Sequence, residues 1–284
     1  MIILIILFPI LALGQNKSLS HYKSYYISKK QFEEKFQKKD SLGFIVKDND
    51  TLIKVNSLKR PKGVSVAYER KDSTFLEYYK KIAFQSIHKD SADTKPMKYW
   101  KKTIKIYFGK HISKKVKNKV VSFINEIDSR VDSLSISVVK KLENSNYIIF
   151  NNEDYQYSEN ISRNKASGYY IRWQNSSNRI YKGYIRINID KLLSEKLQVQ
   201  KIKEQFIGSL GWFNLSDELS CTSYFSNCHS DNKRMTELDW ELLKYHYSYG
   251  ICKGTTKNIF EEQHRIAKEI YSKTNHRMSF FHPY

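Results

Sequence analysis

Proline and glycine are scarce in this chain, four and ten in 284 residues, and nowhere do they combine into the composition of a long flexible linker. Histidine is thin as well. His21, His88, His111, His229, His246, His264, His276 and His282 are all there are, and no two stand four residues apart. That spacing excludes a helical H-E-x-x-H zinc site, which needs both imidazoles on one helix face. No G-x-S-x-G elbow, Walker loop or dinucleotide fingerprint occurs, so the common nucleophilic-serine and nucleotide-binding motifs are missing too. Acid is short relative to base: 29 Asp and Glu against 49 Lys and Arg give a net charge of +20. The isoelectric point near 9.6 favours polyanionic neighbours.

Only residues 1–14, MIILIILFPILALG, form a long apolar run. They carry no charge, supply the small residues Ala12 and Gly14, and meet the polar Gln15-Asn16-Lys17-Ser18 at once. A bilayer-spanning helix needs about 20 apolar residues, so the run reads as a secretory signal peptide, cleaved before about Gln15. The expected location is therefore outside the cytoplasm, in the periplasm, cell envelope or medium, with no transmembrane segment after cleavage. Cysteine is limited to Cys221, Cys228 and Cys252. In an oxidising compartment these suggest one disulfide, Cys221 with either Cys228 or Cys252, and one thiol left over. Together with His229 they also have the ligand count of a structural zinc site, but adjacent residues such as Cys228 and His229 rarely aim at one ion.

Two regions differ in pattern across the polar stretch KDSADTKP at residues 89–96. Before it, residues 28–39 and 73–88 look helical, and residues 43–55 and 63–68 look like strands. The organisation expected is a signal at 1–14, a small N-terminal α+β region at 15–95, and a main domain at 96–284. In that domain Ile104, Ile106 and Phe108 alternate as a strand face. Ile112, Val116, Val120, Phe123, Ile124, Ile127 and Val131 then recur at the spacing of a helix's buried stripe. Strands follow at Leu134 to Val138, Tyr147 to Phe150, Tyr169 to Trp173, and Ile185, Ile187 and Ile189. A helix covers 197–210, and two more cover 236–247 and 257–272. The order β-α-β-β-β-β-α with helices packed on a sheet makes the class α+β.

Ten lysines and no acid fall in residues 95–119. Lys114, Lys115 and Lys117 are expected opposite the apolar stripe, as a solvated face or as an electrostatic footprint for an anionic surface. Lysine suits diffuse attraction better than bidentate phosphate recognition. The expected partners are an anionic cell-envelope polymer or an envelope protein, with nucleic acid bound only non-specifically.

At Ile202 the chain reads IKEQFIGSLGWFN, followed by SYFSN from Ser223 and MTELDWELLKYHY from Met235. Over about residues 99–254 it resembles the bacterial domain-of-unknown-function family 2927. That family carries an E-E-x-x-Q-x-L-G-L-x-N-D helix, an S-I-F-x-D loop and an L-T-x-x-D-x-x-L-L helix. Glu204, Leu210, Gly211 and Asn214 match the first motif, Ser223 and Phe225 the second, and Thr236, Asp239, Leu242 and Leu243 the third. The resemblance implies a zincin-like mixed sheet with packed helices. Setting Gly211 on the zincin glycine puts the three ligand places on Glu204, Gly208 and Asn214 and the general base on Gln205. Gly208 has no side chain, Asn214 is a poor zinc ligand, and Gln205 cannot take a proton from water. By itself the same segment is an amphipathic helix ending at Gly211 as its C-cap.

The expectation is a zincin-like scaffold with a degenerate site, binding no cofactor or metal and acting as a binding or envelope-associated protein. Two alternatives stand beside it. One is a hydrolase pairing Glu204 with another carboxylate, such as Asp217 or Glu218. The other is an electrostatic adhesin built on residues 95–119.

Overall fold

The computed structural model describes residues 24–29, 32–33, 41–47, 50–56, 63–85, 94–157 and 160–283. The expected signal at 1–14 and most of the polar stretch at 89–96 lie outside them. The chain divides into two compact units, Met1–Val64 with Pro283–Tyr284, and Ser65–His282. The division thus falls earlier than the polar stretch suggested, and the helix at 73–83 belongs to the later unit.

The first unit holds a three-stranded antiparallel sheet of β1 (Ser24–Ser28), β2 (Ser41–Lys47) and β3 (Asp50–Asn56), in the order β1-β3-β2. The strands expected at 43–55 are this β2–β3 hairpin. In the stretch expected to be helical from 28, Ser28 is instead the last residue of β1, and helical backbone is seen at Lys29, Phe32 and Glu33. β4 (Gly63–Ala67) pairs with β11 (Ser279–Pro283) in a separate two-stranded ladder.

The second unit is α+β. Its sheet contains β5 (Tyr99–Trp100), β6 (Ile104–Phe108), β7 (Ile136–Val138), β8 (Tyr147–Asn151), β9 (Ser167–Gln174) and β10 (Arg179–Ile187). The strand order is β5-β10-β8-β6-β7, all parallel, with β9 pairing antiparallel to β10. Among the described residues of this unit the α-helices are α1 (Ser73–Ala83), α2 (Lys114–Arg130), α3 (Glu195–Gly211), α4 (Glu237–Tyr247) and α5 (Lys257–Thr274). Each starts where the sequence supplies an oxygen for the free amides of its first turn. Asp72, Ser113, Ser194, Thr236 and Thr256 accept from the backbone N–H three residues on.

The periodic residues do what their spacing predicts. Ile104, Ile106 and Phe108 are buried, and so are Val116, Val120, Phe123, Ile124 and Ile127 along α2. β10 departs from the expected alternation, because Gly183 through Ile187 are buried on both faces and Ile189 lies beyond the strand. Ile185 and Ile187 join the main core, whereas Tyr184 packs with Ile148, Phe150, Tyr157 and Ile161 in a second cluster.

Aromatic rings fill the core where α1 meets α4. His246 of α4 is fully buried against Phe213 (centroids 4.7 Å apart) and Tyr79. Its Nε2 lies 2.8 Å from the Lys98 carbonyl and its Nδ1 3.1 Å from the Tyr79 hydroxyl. The first contact requires N–H on Nε2, and burial keeps the ring neutral, so Nδ1 accepts from Tyr79. Burial pushes its pKa down to about 3, and pushes that of half-buried His264 down to about 4. The unfolded chain, with histidines near 6.5, takes up protons first as pH falls. Stability is therefore full above the unfolded value and is lost as pH drops toward the folded one. For His246 alone the loss between pH 7 and pH 5 is about 2 kcal/mol. Urea unfolding at the two pH values should show this loss, and His246→Gln should reduce it. An unchanged pH dependence in that variant would contradict the neutral assignment.

Candidate functional site

The five positions that the family resemblance singles out lie on α3 and just past its end, and each is committed to a neighbour. Glu204, with its side chain only 14% exposed, receives Lys201 Nζ at 2.8 Å and Gln200 Nε2 at 3.3 Å, both from its own helix. Gln205 donates to Ser167 Oγ at 3.3 Å, tying α3 to β9. Gly208 lies against Tyr169, so close that a Cβ would stand 2.9 Å from the ring. Gly211 faces the Phe213 ring, where a Cβ would come within 2.2 Å. Asn214 clamps the end of α1: its N–H reaches Ile82 O at 2.9 Å, and its Nδ2 reaches Lys81 O at 3.1 Å and Phe84 O at 3.2 Å. These are carbonyls that a helix end leaves without intrahelical partners. The carboxylates proposed to assist Glu204 are likewise engaged elsewhere. Asp217 accepts from Asn227 Nδ2 at 3.0 Å, and Glu218 pairs with Lys81 at 2.5 Å. Among the described residues no group of three His, Cys, Asp or Glu side chains converges to hold a metal ion.

The other two motifs meet in one knot. Asp239, fully buried, is both the third residue of α4 and the acceptor for the loop before it. Ser223 Oγ donates to its Oδ1 at 2.6 Å, while Tyr224 N and Thr236 N donate to its Oδ2 at 2.9 and 3.3 Å. Thr236 Oγ1 accepts from Asp239 N at 3.1 Å, completing a reciprocal capping box. Burial raises the Asp239 pKa, opposed by these hydrogen bonds. Ser223 Oγ also accepts from Phe225 N at 2.9 Å.

Cys221 pairs with Cys228, with Cα atoms 4.9 Å apart, and Cys252 is the free thiol. This resolves the choice of partner left open by the sequence and removes two sulfurs from the zinc set that would have included His229 and Cys252. Burial pushes the Cys252 thiol pKa up, so it is a weak nucleophile at neutral pH. Lys233, buried beside the loop, donates to the Ser226 carbonyl, and its pKa is lowered by burial.

Within the basic segment Lys114 and Lys115 are exposed as expected, Lys115 in an ion pair with Glu195 at 3.1 Å. Lys117 departs from expectation: it is half-buried, with Nζ 5.4 Å from the Phe108 ring centroid.

Two clusters escaped the sequence. His111 Nδ1 lies 2.9 Å from Oδ1 of the buried Asp154, where β6 and β8 end. A search for histidines at helical spacing cannot find a pair 43 residues apart. Trp173 of β9 meets Trp212, the residue after α3, at 5.0 Å and 31°, with Lys95 and Lys98 beside them. Its signal in the sequence was only a tryptophan following a glycine at a helix end.

No curated protein matches the chain. A family model described as Protein of unknown function (DUF2927) matches residues 72–264, well over half of the sequence. The match begins with α1, the helix that Asn214 caps, and takes in the Ser223 and Asp239 motifs. The chain therefore belongs to the DUF2927 family.

Proposed function

We propose that this is an exported protein whose zincin-like domain has no metal-dependent catalysis and works by binding an anionic partner of the cell envelope. The observation that carries the proposal is the fate of the site positions on and after α3. Asn214 caps α1, Glu204 is occupied by Lys201 and Gln200, Gln205 reaches β9, and Gly208 admits the Tyr169 ring. Side chains spent on packing and capping are not available as ligands. The zincin comparison is supported by a mostly parallel sheet with one antiparallel strand, β9, beside α3. Export is supported by the apolar run at 1–14 and by the Cys221–Cys228 bond, since disulfides persist mainly in oxidising compartments. An anionic partner is supported by the net charge of +20.

Two measurements follow. Metal analysis of the dialysed protein is expected to find no stoichiometric zinc, and a peptide-library digest no cleavage. One equivalent of zinc that disappears in Glu204→Ala would overturn the proposal and revive the hydrolase.

The second concerns salt. Affinity for an anionic polymer should fall steeply with ionic strength, as counterion release requires. Replacing Lys114 and Lys115 with Gln should flatten the dependence, whereas adding Lys117→Gln should change it little, because that ammonium leans over Phe108. A slope unchanged by the double replacement would remove the segment from the binding surface.

A further inference from the structure

α3 ends at Gly211, yet the residue in the left-handed conformation after it is Trp212, with φ 55° and ψ 46°. Glycine adopts that backbone freely, and asparagine more readily than most residues, whereas for a bulky residue it is strained. The sequence offers a glycine one position earlier, but there the Phe213 ring needs the space. The Trp212 carbonyl is held by Gln85 Nε2 at 2.7 Å. The strained backbone sets the indole against Trp173, and both rings stay half-exposed.

The surroundings of this pair are cationic. Lys98 Nζ lies 4.8 Å from the Trp173 centroid and 5.9 Å from that of Trp212, and Lys95 Nζ lies 4.9 Å from Trp212. Lys98 is only 4% exposed, and its hydrogen-bond partner is a neutral oxygen, Asn178 Oδ1 at 2.6 Å. Asn178 is oriented by its own bond from Nδ2 to Gly254 O at 2.9 Å. Among the described residues no carboxylate forms an ion pair with Lys95 or Lys98. Burial lowers the Lys98 pKa, and the charge on Lys95 lowers it further. A buried cation without a counter-charge is costly, and a second cation nearby raises that cost. The negative end of α3 favours cations here, but it does not account for a strained tryptophan.

We propose that Trp173, Trp212, Lys95 and Lys98 form a binding site for an acidic saccharide. The apolar face of a pyranose ring would lie on the indole pair, and its carboxylate would supply the anion missing beside the two ammonium groups. Lysine at both cationic positions favours a carboxylated sugar over a nucleic-acid backbone, for which arginine gives the better-fitting fork. The proposal rests on the anionic-partner reading above and gives it an address.

The test uses the full chain with an oligogalacturonate, a neutral dextran oligomer and oligo(dT), followed by tryptophan fluorescence and calorimetry. Oligogalacturonate is expected to bind and to quench the emission, and dextran is not. Affinity should fall about tenfold, the loss of one aromatic stacking contact, in both Trp173→Ala and Trp212→Asn. Asparagine suits the left-handed backbone, so relief of strain should offset part of the packing against the core that Trp212→Asn removes. Lys95→Gln should weaken binding without moving the melting temperature. Oligogalacturonate bound equally well by all three variants would overturn the site while leaving the anionic-partner reading in place. Failure of the unaltered protein to bind either polyanion would overturn both. Tighter binding of oligo(dT), lost in the same variants, would replace the saccharide with nucleic acid and overturn the assignment. A lowered melting temperature in Trp212→Asn with unchanged binding would return the pair to a packing role.

Discussion

The Asp239 carboxylate accepts hydrogen bonds from Ser223, Tyr224 and Thr236, and much of the second unit is arranged by that one buried group. It caps α4 from inside the helix and fixes the loop closed by Cys221 and Cys228. With Ser223 held, Phe225 is buried and packs edge-on to Phe213 at 5.2 Å. Phe213 in turn packs against His246 and lies so near Gly211 that no side chain fits there. Phe213 thereby takes up the space beside the glycine, and the left-handed turn falls on Trp212.

Asn214 extends the same logic to the next helix. Placed just after this corner, it closes the end of α1, whose Tyr79 donates to His246. Asp239, Ser223, Phe225 and Gly211 are thus joined through Phe213 in one set of contacts, and Asn214 follows Phe213 in the chain. Trp212 follows Gly211 directly, and its half-exposed indole meets that of Trp173.

Much of the fold was legible in the sequence because it rests on local periodicity. The stripe of α2, the alternation of β6 and the order of strands and helices in the second unit can each be read within a few residues. What could not be read depends on contacts distant along the chain. β5 is only two residues long and exists through Arg179 and Ile180 of β10. The burial of Tyr184 comes from the second cluster under the loop that carries Tyr157 and Ile161. Gly211 was expected to cap α3, but the helix includes it, and the proximity of Phe213 is visible only in three dimensions. The choice of Cys228 over Cys252 and the pairing of His111 with Asp154 are equally non-local. Gln205, Gly208 and Asn214 were legible as residues poorly suited to metal chemistry, whereas the packing and capping they do was not.

The dependence of this arrangement on one carboxylate is tested most directly by Asp239→Ala, followed by urea unfolding of the oxidised protein. The substitution leaves a hydroxyl and two backbone N–H groups without their acceptor, each costing about 1–3 kcal/mol when buried. The expected result is a loss of roughly 3 kcal/mol or more, with the Cys221–Cys228 bond still formed. Stability indistinguishable from that of the unaltered protein would contradict the central place given to Asp239.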